Sequence, residues 1–287
     1  MAPRGSGGRG LAVPLLLLAA AGGAHGVEVC RVADLELVTQ TGEFFLAATF
    51  LGMGVTSIIF VLMAFKATYE KRKFYFTTCY ITAVATFSYY AMLSGQGWLI
   101  TPSCRQLFYV RYLDWVITTP LLLLDLGLIV GAEWPLIAAV MGGDALMIFS
   151  GYMSAISSGH IKWLWFAAGL LLFIPIVYAV LVMFRGLVLR SHPAVGELYN
   201  KVSWLTMIVW ACYPLVFIFS EGTSDWSQNF EVMIYGVLDL MAKAVFGFIL
   251  LLSHEALDRI TSLPRFASIG GGYGTQMNEK APVESYI

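Results

Sequence analysis

The sequence predicts an all-α membrane protein, a bundle of seven transmembrane helices with its N-terminus outside and its C-terminus in the cytoplasm. Three observations predict this. Of the 287 residues, 59% are hydrophobic and only 12% are charged, against about 25% charged in soluble domains. Hydropathy then resolves into seven stretches, at about 43–66, 74–98, 107–130, 135–157, 161–185, 202–221 and 230–253, each near the roughly 20 apolar residues that span a bilayer core. Finally, lysine and arginine collect in alternate connections: "KATYEKRK" after the first span, "RGLVLRSHPAVGELYNK" between the fifth and sixth, and "HEALDRITSLPR" after the seventh. The even-numbered connections and "GTSDWSQN" are poor in them, and the positive-inside rule sets the orientation. Membrane lipid is therefore the expected surrounding, and a net charge of -1 gives no reason to expect nucleic acid.

Along the chain, residues 1–26 begin with Arg4 and Arg9, continue through a short apolar run and end in small residues, the pattern of a cleaved signal peptide. A signal anchor that stays attached is the alternative. Residues 27–42 then form an extracellular segment, 43–253 the helical domain, and 254–287 a cytoplasmic tail, largely disordered because "RFASIGGGYGTQMNEKAPVESYI" is Gly-rich and polar. A secretory route is compatible with the plasma membrane or an internal membrane. Oligomeric state is not encoded in any pattern found, which leaves a homo-oligomer open. Cys30 and Cys104 both fall on the outer side, where a disulfide within or between chains can form, whereas Cys79 and Cys212 fall inside helices.

The third span contains "VRYLDWVITTPLLLLDLGL", with Arg111, Asp114 and Asp125 in one apolar run. Arg111 and Asp114 are at i, i+3 and share a helix face. Asp114 and Asp125 share it too, separated along the axis by roughly 16 Å at the α-helical rise. The seventh span contains "GVLDLMAKAVFGF", with Asp239 and Lys243 one turn apart. A charge at the bilayer centre costs about 2.5–3.5 kcal/mol on insertion-derived scales, so such residues are functional candidates. A buried ion pair that only joins helices explains each pair separately. It does not explain a row of carboxylates facing one way, which is how proton relays are built.

"RYLDWVITTPLLLLDL", "WACYPLVF" and "LDLMAKAVFGF" together resemble the bacteriorhodopsin-like microbial rhodopsins, and the resemblance extends over about 43–253. It implies all-trans retinal bound as a protonated Schiff base to Lys243, with Asp114 and Asp239 as counter-ions. It places Trp115, Thr118, Thr119, Leu122, Met147, Gly151, Trp210, Tyr213, Pro214 and Phe217 around the chromophore, and Tyr89 and Tyr213 on Asp239. Taken singly, each reads more readily as a packing residue; it is the set in one register that points to a chromophore pocket. Phe166 stands where antenna-binding relatives have glycine, which argues against a carotenoid partner, and Leu122 suggests green absorption. Helix two lacks the histidine common among proteorhodopsins.

The activity implied is light-driven outward proton pumping, not enzyme catalysis, with protons as cargo and no metal site. Asp114 matches the proton acceptor, held ionised by Arg111, and Asp125 the donor, kept protonated in a dry setting. Thr78 matches the residue that hydrogen-bonds the donor, and Glu221 and Glu231 match the proton-release pair, with solvated surface glutamates as the plain alternative. Chloride-pumping relatives lack the first carboxylate and sodium pumps replace both. A sensory rhodopsin or a light-gated ion channel on the same scaffold is the alternative function.

Overall fold

The structure is a computed structural model that describes residues 30–188 and 192–262. The expected signal segment and the tail from Pro264 onward lie outside those residues. Among the described residues, seven long helices form one bundle: α1 (Gln40–Lys66), α2 (Arg72–Leu93), α3 (Tyr109–Val130), α4 (Trp134–Ile156), α5 (Gly159–Val188), α6 (Pro193–Gly222) and α7 (Gln228–Leu252). All but α2 are individually long and apolar enough to cross a membrane. In α2 the threonines lower the hydropathy, but Thr77, Thr78, Thr82 and Thr86 each donate to a carbonyl one turn earlier in their own helix, at 2.7–3.0 Å. Their polarity is thus satisfied locally, as the membrane interior demands.

The bundle is inverted relative to a soluble protein. Phe65 and Phe87 are 78% and 74% exposed, whereas Arg111, Lys243 and Asp239 are 1%, 2% and 0% exposed. Apolar side chains face lipid and ionisable ones face inward, because each charge needs a partner that only the protein interior offers. Helices α3 and α7 are central, with 61% and 56% of their apolar windows buried, against 17% for α5. The two helices carrying the charged motifs are therefore the most enclosed of these six. Close approach of α7 to α1 depends on Gly236, where a Cβ would stand 2.4 Å from Thr49 Oγ1. Small residues at helix contacts allow such packing where hydrophobicity gives no drive.

Several boundaries differ from the hydropathy reading. The second helix was expected to reach residue 98 but ends at Leu93, because Gly95 and Gly97 adopt left-handed backbone at φ 72° and 70°. A hairpin follows, pairing β1 (Leu99–Ile100) with β2 (Gln106–Leu107). The expected 186–201 connection is mostly helix. In α6, Val195, Leu198, Tyr199 and Val202 are buried at i, i+3, i+4 and i+7, an amphipathic face that window averaging erases. For the same reason α8 (His254–Thr261) was missed: Ala256, Leu257 and Ile260 pack inward and Asp258 pairs with Lys71 at 2.5 Å. The segment read as tail from residue 254 thus begins as a docked helix.

Among the described residues, three helices contain π-helical turns. Those at Ala179–Phe184 and Ile218–Gly222 follow Pro175 and Pro214, whose rings crowd the preceding turn and remove a backbone donor. Tyr199 donates to the Val180 carbonyl at 2.6 Å within the first of them. The third, Leu240–Val245, has no proline and contains Lys243; such bulges concentrate at functional sites. The cysteines are resolved as well. Cys30 and Cys104 form a disulfide within the chain, and Cys79 and Cys212 are free thiols.

Candidate functional site

The lysine of α7 reaches across the bundle to α3. Its Nζ is hydrogen-bonded to Asp114 Oδ2 and lies 3.4 Å from Asp239 Oδ1, all three side chains being at most 1% exposed. The two carboxylates are held differently. Asp239 accepts from Tyr89 at 2.7 Å on Oδ2, and from Tyr213 at 2.7 Å and Trp115 Nε1 at 3.0 Å on Oδ1. Both of its oxygens are engaged by neutral donors. On Asp114, Oδ1 has no hydrogen-bond partner among the described residues, which makes it the carboxylate freer to change its bonds.

Beside Lys243 lies an apolar cavity. It is lined by Trp115, Thr119 and Leu122 of α3, Met147 and Gly151 of α4, Phe166 of α5, and Trp210, Tyr213, Pro214 and Phe217 of α6. Phe166 stacks on Phe217 with centroids 5.1 Å apart, and Trp115 meets Tyr213 edge-on at 5.0 Å. Thr118 is not in this wall. Its side chain turns back to donate to the Asp114 carbonyl at 2.9 Å, the usual local solution for a buried threonine in a membrane helix. Tyr112, Tyr235 and Phe173 also line the cavity, and nothing distinguished them from packing aromatics in the sequence. Asp144 could have been found as a carboxylate in an apolar span; it is fully buried on α4 and accepts from Thr119 at 2.6 Å, linking α4 to the cavity wall.

Asp125 is fully buried eleven residues further along α3, with neither oxygen hydrogen-bonded among the described residues. The expected bond from Thr78 is not formed: its hydroxyl donates to Phe74 and Tyr75 carbonyls at 2.9 and 3.1 Å. Its neighbour Thr77 likewise donates within its own helix, to the Lys73 carbonyl at 2.8 Å. Which way a threonine hydroxyl turns is set by side-chain positions that sequence matching does not supply.

Arg111 is also placed differently from expectation. Its ion pairs lead away from Asp114, to Glu231 at 3.0 Å and Glu221 at 4.0 Å, with the Tyr235 ring 4.3 Å from its guanidinium carbon. The cation paired with Asp114 is Lys243 instead. Glu221 and Glu231 are 5% and 1% exposed, so they are not solvated surface glutamates. Glu221 Oε2 accepts from Ser220 at 2.7 Å and Tyr235 at 3.1 Å. Two further buried cations close this end of the bundle: Lys162, whose Nζ donates to the Glu221 carbonyl at 2.5 Å, and Arg105, which contacts Glu231 at 3.2 Å. Neither stands in a transmembrane motif, so neither was singled out.

The chain matches the family model described as bacteriorhodopsin-like protein over residues 40–257. It belongs to the bacteriorhodopsin-like family. This rhodopsin is 32% identical over 257 residues to Opsin-1 of Neurospora crassa, covering 83% of this chain and 84% of that one. It is 34% identical over 190 residues to bacteriorhodopsin of Halobacterium salinarum, covering 64% and 72% of the two chains. Among solved structures, the light-driven proton pump LR (Mac) from Leptosphaeria maculans superposes with a TM-score of 0.76 at 29% identity, over 79% of this chain and 99% of that one. The light-driven proton pump of Coccomyxa subellipsoidea superposes with a TM-score of 0.74 at 28% identity, over 77% and 100%. The rhodopsin is thus a multi-pass integral membrane protein of a family of light-driven ion transporters, not enzymes, whose members carry retinal as chromophore. The residues present suit that group: a buried amine able to condense with a carbonyl, lining a cavity walled mainly by aromatic and aliphatic side chains.

Proposed function

We propose that this rhodopsin is a light-driven pump that carries protons from the cytoplasm to the exterior, with its N-terminus outside and its C-terminus in the cytoplasm. The observation that supports it best is a line of buried ionisable groups along one axis: Asp125, then Lys243 with Asp114 and Asp239, then Arg111 with Glu231 and Glu221. Lys243 would hold all-trans retinal as a Schiff base, and the chromophore would supply light absorption and isomerisation there. The protein's own residues supply the vector.

Asp114, already in contact with Lys243 Nζ, is the base nearest the proton and takes it at a carboxylate oxygen. Asp239, held on both oxygens by Tyr89, Tyr213 and Trp115, serves as the second counter-ion. Asp125, about 16 Å further along α3 at the helical rise, returns a proton to the Lys243 nitrogen from the opposite end. Glu221, Glu231 and Arg111 line the outer exit. One-way movement follows because acceptor and donor lie on opposite sides of the nitrogen whose proton moves.

The test is illumination of retinal-fed cells in weakly buffered medium while external pH is followed. Acidification abolished by a protonophore is the expected result. Alkalinisation, or no pH change despite a visible absorption band, refutes outward pumping and favours a sensor or a channel.

A further inference from the structure

Lys243 is 2% exposed and lies deep in the bundle. Toward one end stands the charged cluster of Arg111, Glu221 and Glu231. Toward the other, Leu123, Leu126, Ile176 and Phe246 are buried in one apolar core. A long apolar molecule bound for the amine meets charge on one side and a packed core on the other.

The wall is thinner sideways. Phe166, Leu170 and Phe173, at i, i+4 and i+7, form one face of α5 and line the cavity. Of the described residues that line it, Leu170 alone is exposed at the outer surface of the bundle, at 39%. The stack of Phe166 on Phe217 turns this face toward α6, whose Trp210, Tyr213 and Pro214 also line the cavity. The α4 side is closed by close packing, since a Cβ at Gly169 would stand 3.7 Å from the Met147 carbonyl oxygen.

The seam between α5 and α6 is fastened at two places. At one, Trp163 packs over Gly222, where a Cβ would meet its ring at 3.0 Å, near the Phe166–Phe217 stack. At the other, Tyr199 donates to the Val180 carbonyl at 2.6 Å. Between Phe166 and Val180, no hydrogen bond, ion pair or ring stack joins α5 to α6 among the described residues. Both helices also carry a proline and a π-helical turn beside this stretch: Pro175 with Ala179–Phe184, and Pro214 with Ile218–Gly222. Helices bend at such places because the backbone ladder is already interrupted there.

We infer that the seam between α5 and α6 at Leu170 opens sideways to the bilayer and is the entry by which all-trans retinal, a lipid-soluble polyene, reaches Lys243. The inference rests on retinal attachment at Lys243 and adds the route to it. Bending of α5 and α6 at their prolines parts the unfastened stretch, and Leu170 is the side chain that must move aside.

The experiment follows uptake, not pumping. Retinal-free protein in lipid vesicles is mixed with vesicles carrying excess all-trans retinal, and the rise of the visible band is timed in the dark. Leu170→Trp, which thickens the wall, should slow the rise about tenfold, the order an overpacked contact produces in a rate. Leu170→Ala, which thins it, should speed the rise several-fold. Leu171→Trp, at a neighbour that is 67% exposed and does not line the cavity, should match wild type. Wild-type rates in both Leu170 variants overturn the inference, and so does equal slowing by Leu171→Trp. If Leu170→Trp yields too little folded protein, the rate of Leu170→Ala against wild type decides alone. A wild type that forms no band refutes attachment at Lys243, and the route with it, whereas a normal band with rates indifferent to Leu170 refutes the route alone.

Discussion

Replacing Lys243 with alanine tests both the chromophore site and the energetics of the buried triad. Among the described residues Lys243 is the lysine that lines the apolar cavity with a buried carboxylate one turn away, so on the proposed attachment the visible band should vanish. The effect on the retinal-free protein follows from the contacts. Removing Lys243 leaves Asp114 and Asp239 without the cation that both contact, and breaking a buried pair by deleting one partner costs about 3–5 kcal/mol. The loss is not shared equally. Asp239 keeps its three hydroxyl and indole donors, whereas Asp114 loses the side-chain partner of Oδ2 and has none on Oδ1. Lys243→Ala/Asp114→Asn should therefore recover most of the lost stability, and Lys243→Ala/Asp239→Asn should recover little. At roughly 2–4 °C per kcal/mol for a domain of this size, the single variant should unfold about 6–20 °C lower, read by intrinsic fluorescence during heating in detergent. The reasoning is refuted if Lys243→Ala matches wild type in stability, or if neutralising Asp239 recovers more than neutralising Asp114. A band that survives with retinal unlinked to protein would refute the attachment site.

Asp125→Asn should leave the colour nearly unchanged but slow return of the proton to the Lys243 nitrogen, with added azide restoring part of the rate; an unslowed photocycle contradicts its role as donor. Asp114→Asn should shift the band to the red and abolish pumping, and retained light-driven acidification would rule out Asp114 as acceptor. Gly236→Ala should destabilise the protein by about 1–3 kcal/mol, since its Cβ would meet Thr49 Oγ1 at 2.4 Å; thermal unfolding should show the loss, and Thr49→Ala in the same background should relieve it. Thiol titration of the unfolded, unreduced protein should find two of the four cysteines reactive, Cys79 and Cys212, and a count of four would exclude the Cys30–Cys104 bond.

Much of this rhodopsin is written locally. A span of apolar residues must become a helix in lipid because no water is there to satisfy its backbone, so the seven helices are legible from hydropathy, and Asp114, Asp125, Asp239 and Lys243 stand out because each is unfavourable there without a partner. The spacing within one helix also fixes that Asp239 and Lys243 share a face. What the sequence could not decide is which groups on different helices meet. Arg111 is one turn from Asp114 in the chain, yet its side chain goes to Glu231, 120 residues away, because only the folded bundle brings two buried carboxylates within its reach. The Thr78 hydroxyl turns back onto its own helix, a choice of rotamer that its place in the sequence does not reveal. Arg105 and Lys162 read as ordinary loop and helix-end cations until the hairpin, the disulfide and α5 close over Glu221 and Glu231. Amphipathic ends such as Val195–Val202 and His254–Thr261 escape hydropathy because their apolar residues are diluted by polar neighbours and gain their meaning only against the rest of the bundle. Period and composition are properties of a segment, whereas ion pairing across helices depends on distances that exist only once the segments have packed.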